Sequence, residues 1–365
     1  MKIGILGSRG IPNRYGGFEQ FAEHLASGLA ALGAEVWVYC SSQIPDRKNT
    51  YNGVRLIYCH DPEHRLGTIG QFIYDLHCIR DSRKRDFDII YQLGYTSSSV
   101  WHRLLPQKPV IVTNMDGLEW SRSKYRGLVR RFLQYAEKLA AEHSNILIAD
   151  AMAIKHYLDT KYQTKSHYLA YGAAIFDKPD QGSLTSFQVE PYNYFLLIAR
   201  MQPDNHIAEI IEGVLQSNSQ IPLLVVGNTH NSHGNYLKRK YQHPQIKFAG
   251  AIFEQELLNN LRYHSALYFH GHSAGGTNPS LLEAMAASAL ICAHDNVFNR
   301  EVLGDNAAYF SEPADIVKII NEEKFNQSGH PFTLINKTRI AEKYNWNAII
   351  QAYYHLFEKL LNKSD

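Results

Sequence analysis

The stretch that most constrains the fold is HGHSAGGTNPSLLEAMAAS, from His270 to Ser288. ALYFH, ending at His270, is a short buried strand by its apolar content, and SLLEAMAA, from Ser280 to Ala287, is built of strong helix formers. Two glycines, a threonine, an asparagine and a proline separate them. Gly275 and Gly276 put no side chain between backbone N–H groups and a ligand, and the positive end of the helix dipole faces the same place. Phosphate is the ligand that suits this geometry best. Glu283 lies one turn inside the helix, on a face that can reach a ribose hydroxyl. An ordinary strand–loop–helix with a glycine-rich turn has the same local pattern, so the rest of the chain has to decide.

The same alternation runs along the whole sequence. Lys2–Leu6 reads as a strand, Phe18–Leu32 as a helix stopped by Gly33, and Glu35–Cys40 as the next strand, which makes a β-α-β unit. The first turn has G-x-x-G and lacks G-x-G-x-x-G, which lowers a dinucleotide reading. Further strands are expected at 52–59, 88–93, 109–113, 145–149 and 166–170, with helices at 71–83, 128–143 and 151–162. After a polar stretch, DKPDQGSLTSFQVE, a second series begins: strands at 194–199, 223–226, 246–248, 266–270 and 290–293, helices at 208–216 and 254–263, and a polar loop at 294–300. The division is therefore 1–176, a linker at 177–190, 191–344, and a last amphipathic helix within 345–365 that needs an apolar surface to cover, expected toward the N-terminal domain. The fold class is α/β, with two Rossmann-like domains facing each other across a cleft.

A chain of 365 residues fits two such domains. Net charge is +2, too balanced for a nucleic-acid binder. Four dispersed cysteines, with no CxxC, argue against a zinc site or a disulfide framework and fit a cytoplasmic protein. No apolar run approaches the roughly 18 residues of a spanning helix. MKIGILGSRG enters a turn directly and reads as a first strand, not as a signal peptide.

Loops at the ends of buried parallel strands are where open α/β sheets place ligands. Asp116 and Glu119, in NMDGLEWSRSKYRG, are candidate site carboxylates on that ground, although Glu119 could equally cap the following helix. Arg122, Lys124, Arg126, Arg130 and Arg131 form either a solvated face or a contact for an anionic acceptor or a membrane surface. His264, His270 and His272 lack a helical metal-ligand spacing and suit polar or packing roles; His272 is a candidate for sugar contact.

GSRGIPNRYGGFEQF, NMDGLEW and GGTNPSLLEAM together resemble the retaining GT-B glycosyltransferases of family 4, and within them a bacterial subgroup with rhamnosyltransferases of capsule and cell-wall polysaccharide assembly. The resemblance implies that Glu283 holds the ribose and that Arg200 neutralises the diphosphate leaving group. The turn of Gly276, Thr277, Asn278, Ser280 and Leu281 would hold the diphosphate through amides; Pro279 has none to donate. Gly250 and Ile252 would lie against the base, and Gly16 and Gly17 would close over phosphates and sugar. Glu19 and Glu119 would meet the acceptor, and Asp116 would orient its hydroxyl or act as a weak base. No metal and no cofactor is implied beyond the donor itself.

Three positions depart from the family pattern. Gly275 replaces a carboxylate, Asn205 a lysine, and Met115 a histidine beside Asp116. A different sugar pocket is implied, and a 6-deoxy sugar fits it. The expectation is transfer of L-rhamnose from dTDP-rhamnose, with retention, to a saccharide or lipid-linked saccharide. A lipid-linked acceptor would add peripheral contact at the inner face of the cell membrane. Another UDP- or GDP-sugar donor, a silent nucleotide-sugar-binding protein of a polysaccharide complex, and an oxidoreductase or epimerase stay open as alternatives.

Overall fold

The computed structural model describes residues 1–14, 16–122, 124–322 and 330–362. The chain divides into two compact units. The first comprises Met1–Ser121, Tyr125–Tyr171 and Trp346–Asp365; the second comprises Arg122–Lys124 and Gly172–Asn345. Residues 177–190 thus fall inside the second unit, where Gln181–Phe187 form a 3₁₀ turn capped by the Asp180 side chain.

The first unit is built on strands β1 (Lys2–Leu6), β2 (Glu35–Ser41), β3 (Thr50–Tyr51), β4 (Val54–Cys59), β5 (Ile89–Leu93), β6 (Val110–Asn114), β7 (Ile146–Ala149) and β8 (His167–Tyr168). Their order is β3-β4-β2-β1-β5-β6-β7-β8, parallel except for the β3–β4 edge pair. Its helices are α1 (Gly17–Ala31), α2 (Glu63–Leu66), α3 (Thr68–Ser82), α4 (Gly127–His143) and α5 (Met152–Tyr162). The central strands read as unbroken apolar runs because helices cover both faces: β5 is buried at every position. The helix expected at 71–83 begins earlier, at Thr68, and is preceded by α2.

The second unit adds β9 (Phe195–Ile198), β10 (Leu223–Val226), β11 (Ile246–Gly250), β12 (Leu267–His270), β13 (Ile291–His294) and β14 (Ala308–Phe310). All pair in parallel, in the order β11-β10-β9-β12-β13-β14. Helices α6 (Ile207–Gln216), α7 (Ser232–Lys240), α8 (Gln255–Tyr263), α9 (Pro279–Ala286), α10 (Val297–Leu303), α11 (Pro313–Glu322) and α12 (Pro331–Lys343) belong to it. Phe195, Leu197, Val225, Leu267 and Phe269 from the strands meet Ile210, Ile211 and Val214 of α6 in one core.

The chain then returns to the first unit for α13 (Trp346–Leu361). Its apolar face lies on α1 and β5: Trp346 stacks on His24, Phe21 meets Tyr353 edge-on, and the Tyr353 and Tyr91 hydroxyls are 3.0 Å apart. Each sheet reverses direction of growth beside its first strand, between β1 and β5 and between β9 and β12. Loops leaving the carboxyl ends of strands at such a switch point diverge and open a crevice, which is where doubly wound sheets bind ligands.

Candidate functional site

In the second unit the switch point is flanked by Arg200, just beyond β9, and by residues 271–278, just beyond β12. Arg200 is exposed, and its carbonyl accepts from Asn205 Nδ2 at 2.6 Å. Asn205 is therefore a buried brace for the arginine's backbone. Gly271 has to be glycine, since a Cβ there would stand 2.0 Å from the Asn205 carbonyl oxygen. Gly275 has φ +111° and open space around it, so the missing carboxylate leaves room rather than a filled core.

Helix α9 begins as the sequence indicates, with Asn278 as cap and Pro279 in the first turn. Two expected phosphate contacts are nevertheless engaged locally. The Ser280 amide donates to Asn278 Oδ1 at 2.9 Å, and the Leu281 amide to the Asn278 carbonyl at 3.0 Å. The Leu281 side chain belongs to the core. A capped helix satisfies its own first donors, so these two amides are engaged within the helix start itself.

Glu283 sits one turn into α9 in an ion pair that sequence reasoning missed. Arg262 of α8, itself 1% exposed, donates to Glu283 Oε2 at 2.6 Å and to Ser280 Oγ at 3.1 Å. Tyr268 of β12 places its hydroxyl 3.0 Å from the same Ser280 oxygen. Strand, turn and helix are thereby locked around one carboxylate. Gly250 and Ile252 stand at the end of edge strand β11, where the Gly250 carbonyl accepts from the Gly227 amide.

Four imidazoles crowd the same strand ends. His270 and His272 stack with centroids 4.5 Å apart, and His206 stacks on His294 at 4.0 Å. His206 Nδ1 meets the Gly271 carbonyl at 2.8 Å, and the His272 carbonyl accepts from Asn296 and Asn299. Burial and then the Arg200 charge push His272 down to about 3; burial and then His206 push His294 down to about 4. Burial pushes His270 down as well, so His270, His272 and His294 are neutral at physiological pH, and Arg200 supplies positive charge at this edge. Sequence does not single out His206 or His294; the parallel register of β12 and β13 brings in His294, and His206 arrives from the cap position of α6, beyond β9. His264 is buried away from this group, in edge-on contact with Tyr192 and Tyr263. Among the described residues, no group of three or more His, Cys, Asp or Glu is placed to hold a metal ion.

In the first unit the corresponding loop runs from Gly7 to Gly16, with Gly16 at the cap position of α1 and Gly17 as its first residue. Glu19 is 4% exposed, and its Oε1 accepts from the Arg9 amide at 2.8 Å; it shapes the loop. Arg9 in turn clasps Glu63 through Nε and Nη2, at 3.0 and 2.6 Å. A hollow of about 360 Å³ opens here, lined by Arg9, Arg14, Glu19, Gln43, Asp61 and Glu63. Asp61 is held by Ser41 Oγ and the Glu63 amide. Deeper, Asp75 accepts from Ser97 Oγ at 2.5 Å, and burial pushes its carboxyl up to about 7.

Asp116 follows β6 in the left-handed region, φ +42°, with its amide on Asn114 Oδ1 and its carboxylate accepting from the buried Tyr171 hydroxyl at 3.0 Å. Strain of that kind at a loop carboxylate accompanies functional positions. Glu119 opens a short 3₁₀ turn and does not cap α4, whose cap position is Arg126. The carboxylate that organises this region is Glu137, fully buried, which accepts from Trp120, Tyr157, Lys161 and Tyr162.

Over 99% of both chains, the protein superposes on a sucrose-phosphate synthase from Thermosynechococcus elongatus with a TM-score of 0.79 at 15% identity. HepE from Anabaena, in complex with UDP and glucose, gives 0.74 at 13% identity over 98% of this chain and 99% of that one. The catalytic domain of starch synthase IV from Arabidopsis thaliana, bound to ADP and acarbose, gives 0.74 at 12% identity over 99% of both. The fold is that of the GT-B glycosyltransferases. By sequence, residues 1–174 match a family described as a domain of unknown function, DUF1972. A search of curated proteins found no match. No helix among the described residues is long and apolar enough to cross a membrane.

Proposed function

We propose that this GT-B protein transfers a sugar from a nucleotide-sugar donor to a saccharide or lipid-linked saccharide, with retention and without a metal. The observation that carries the reading is the switch point of the second unit, where Arg200 and the Gly275–Thr277 turn flank the ends of neighbouring strands and Glu283 is fixed by Arg262. Departure of a nucleoside diphosphate needs charge stabilisation on the leaving oxygens. Arg200 supplies it, with the helix dipole of α9 behind the turn. Glu283 holds ribose hydroxyls, and Gly250 and Ile252 border the base. HepE and starch synthase IV carry a nucleoside diphosphate on the same fold, which favours that ligand class.

The sugar lies against His272 and the space at Gly275. A neutral imidazole and an absent carboxylate suit a sugar with one hydroxyl fewer, so L-rhamnose from its dTDP donor is the assignment we favour. In the first unit Asp116, aimed by Tyr171, orients the acceptor hydroxyl, and the hollow at Glu19 and Asp61 takes the acceptor's further hydroxyls. Attack on the face from which the phosphate leaves needs no strong protein base, so a weak one suffices.

A second reading, a nucleotide-sugar-binding protein without turnover, is favoured by the capped amides of Ser280 and Leu281. One experiment separates the two. A thermal-shift panel of dTDP-, UDP- and GDP-sugars identifies the donor, and slow hydrolysis of that donor without acceptor reports turnover. We expect a dTDP-sugar to lead and hydrolysis to be measurable, with both lost in Glu283→Gln. Stabilisation without hydrolysis selects the silent binder, and no stabilisation by any nucleotide sugar removes both readings.

A further inference from the structure

Helix α4 carries apolar residues where a solvated helix would not. Leu128, Phe132, Tyr135 and Leu139 fall at i, i+4, i+7 and i+11, which is one stripe. At its C-terminal end the stripe is core: Leu139 is 7% exposed. Toward the N-terminus it emerges, and Tyr135 is 56% and Leu128 81% exposed. Val129 is half exposed beside them. The helix leaves the core while its apolar face continues. Phe132 meets Phe72 of α3 at a centroid distance of 5.7 Å, so the patch runs on to the neighbouring α2–α3 corner. There Leu66 and Ile69, the latter 66% exposed, extend it.

The fringe of this patch is cationic. Arg126 and Arg131 are exposed on the same two turns, Arg65 is exposed at the α2–α3 corner, and the segment Arg126–Tyr135 contains no acidic residue; Arg130 points to the other side of the helix, over the Trp120 ring. Contiguous apolar surface ringed by arginine is the composition of a helix that lies in a lipid interface, with its side chains in the acyl boundary and guanidinium groups among anionic headgroups. A second copy of this chain would bring the same arginines against each other, so the charge opposes self-association.

We propose that the exposed N-terminal half of α4, with the α2–α3 corner, docks on the surface of an anionic phospholipid bilayer. The inference goes beyond the transfer reading and does not depend on it. The test is co-sedimentation of the full-length protein with vesicles of phosphatidylcholine alone and of phosphatidylcholine mixed with an equal amount of phosphatidylglycerol. We expect pelleting with the anionic vesicles only, weakened by salt. Paired Arg126→Gln and Arg131→Gln should weaken it by roughly fivefold per arginine. Leu128→Asn, at a position too exposed to disturb the fold, should weaken it about tenfold. Donor-induced thermal stabilisation is recorded on the same preparations and should be unchanged in these variants. No pelleting of wild type with either vesicle overturns the proposal. So does pelleting that these variants leave intact, or a concentration-dependent dimer in sedimentation velocity that Leu128→Asn abolishes. Pelleting by a protein that no nucleotide sugar stabilises would uphold the docking face and remove the transfer reading alone.

Discussion

The two units share the strand order of their central sheets and differ in the chemistry at their switch points. The second presents an arginine, a glycine-rich turn, a helix start and neutral imidazoles, and the half-buried carboxylate of Glu283 is matched by the buried Arg262. The first presents carboxylates: Glu19, Asp61, Asp75 and Asp116 are each tied by a backbone amide or a hydroxyl. A cationic edge receives phosphate, whereas carboxylates held rigid by neutral donors receive hydroxyl groups. Under the proposed function, donor and acceptor roles divide between two related sheets according to which residues stand at the strand ends.

The contrast breaks most sharply at Arg262. Replacing it with alanine leaves a carboxylate in a nearly dry site without its cation, and we expect a stability loss of about 3–5 kcal/mol. Urea unfolding measures it; a loss within experimental error would show that Glu283 does not depend on the pair. Arg200→Ala tests the cationic edge itself. Its side chain is exposed, so Tm should hold, while donor turnover falls roughly 10²–10³-fold. Near-normal turnover would take Arg200 out of the site.

Asp75 tests the carboxylate unit through pH. Its pKa is raised in the fold, from the ordinary 3.8 to about 7, because burial disfavours the charge. The folded state holds that proton more tightly than the unfolded chain. Its contribution is fully present below the ordinary value and is lost as pH rises through about 7. Asp75→Asn should therefore stabilise the protein at pH 8, by on the order of 2 kcal/mol, and change little at pH 4. A Tm difference that is flat across this range would contradict the assignment. The smallest effect sharpens the contrast at Asp116. Tyr171→Phe removes one donor to that carboxylate and should cost about 1 kcal/mol of stability. It should lower kcat for transfer while leaving donor binding alone; an effect on donor binding would mean that the two units do not divide the work.

Some of this could be read from the residues alone. The strands declare themselves as apolar runs, and the stripe from Ile349 to Phe357 marks α13. The turn before α9 shows its glycines and its cap. Helix α7 does not, because SHGNYLKRK buries little besides Leu237 and begins on a cap formed by Asn231. Helix α10 hides in the same way: the polar stretch 294–300 reads as loop, yet Asn296 accepts from the Phe298 and Asn299 amides and starts a helix there. Pairings across elements are the least legible. Arg262 meets Glu283 and His206 meets His294 only once register and helix rotation are set, and periodicity within one element carries no trace of either. The engaged amides of Ser280 and Leu281 are a similar case, since the asparagine that marks the helix start is the group that occupies them.

The division of labour is tested most directly by calorimetric titration of dTDP, UDP and GDP, in chelator, into wild type, Arg200→Ala, Glu283→Gln and Asp116→Asn. The account predicts saturable binding of one nucleotide, weakened at least about tenfold by each change in the second unit and untouched by Asp116→Asn. Binding that is indifferent to Arg200 and Glu283, or that disappears with Asp116→Asn, would contradict it.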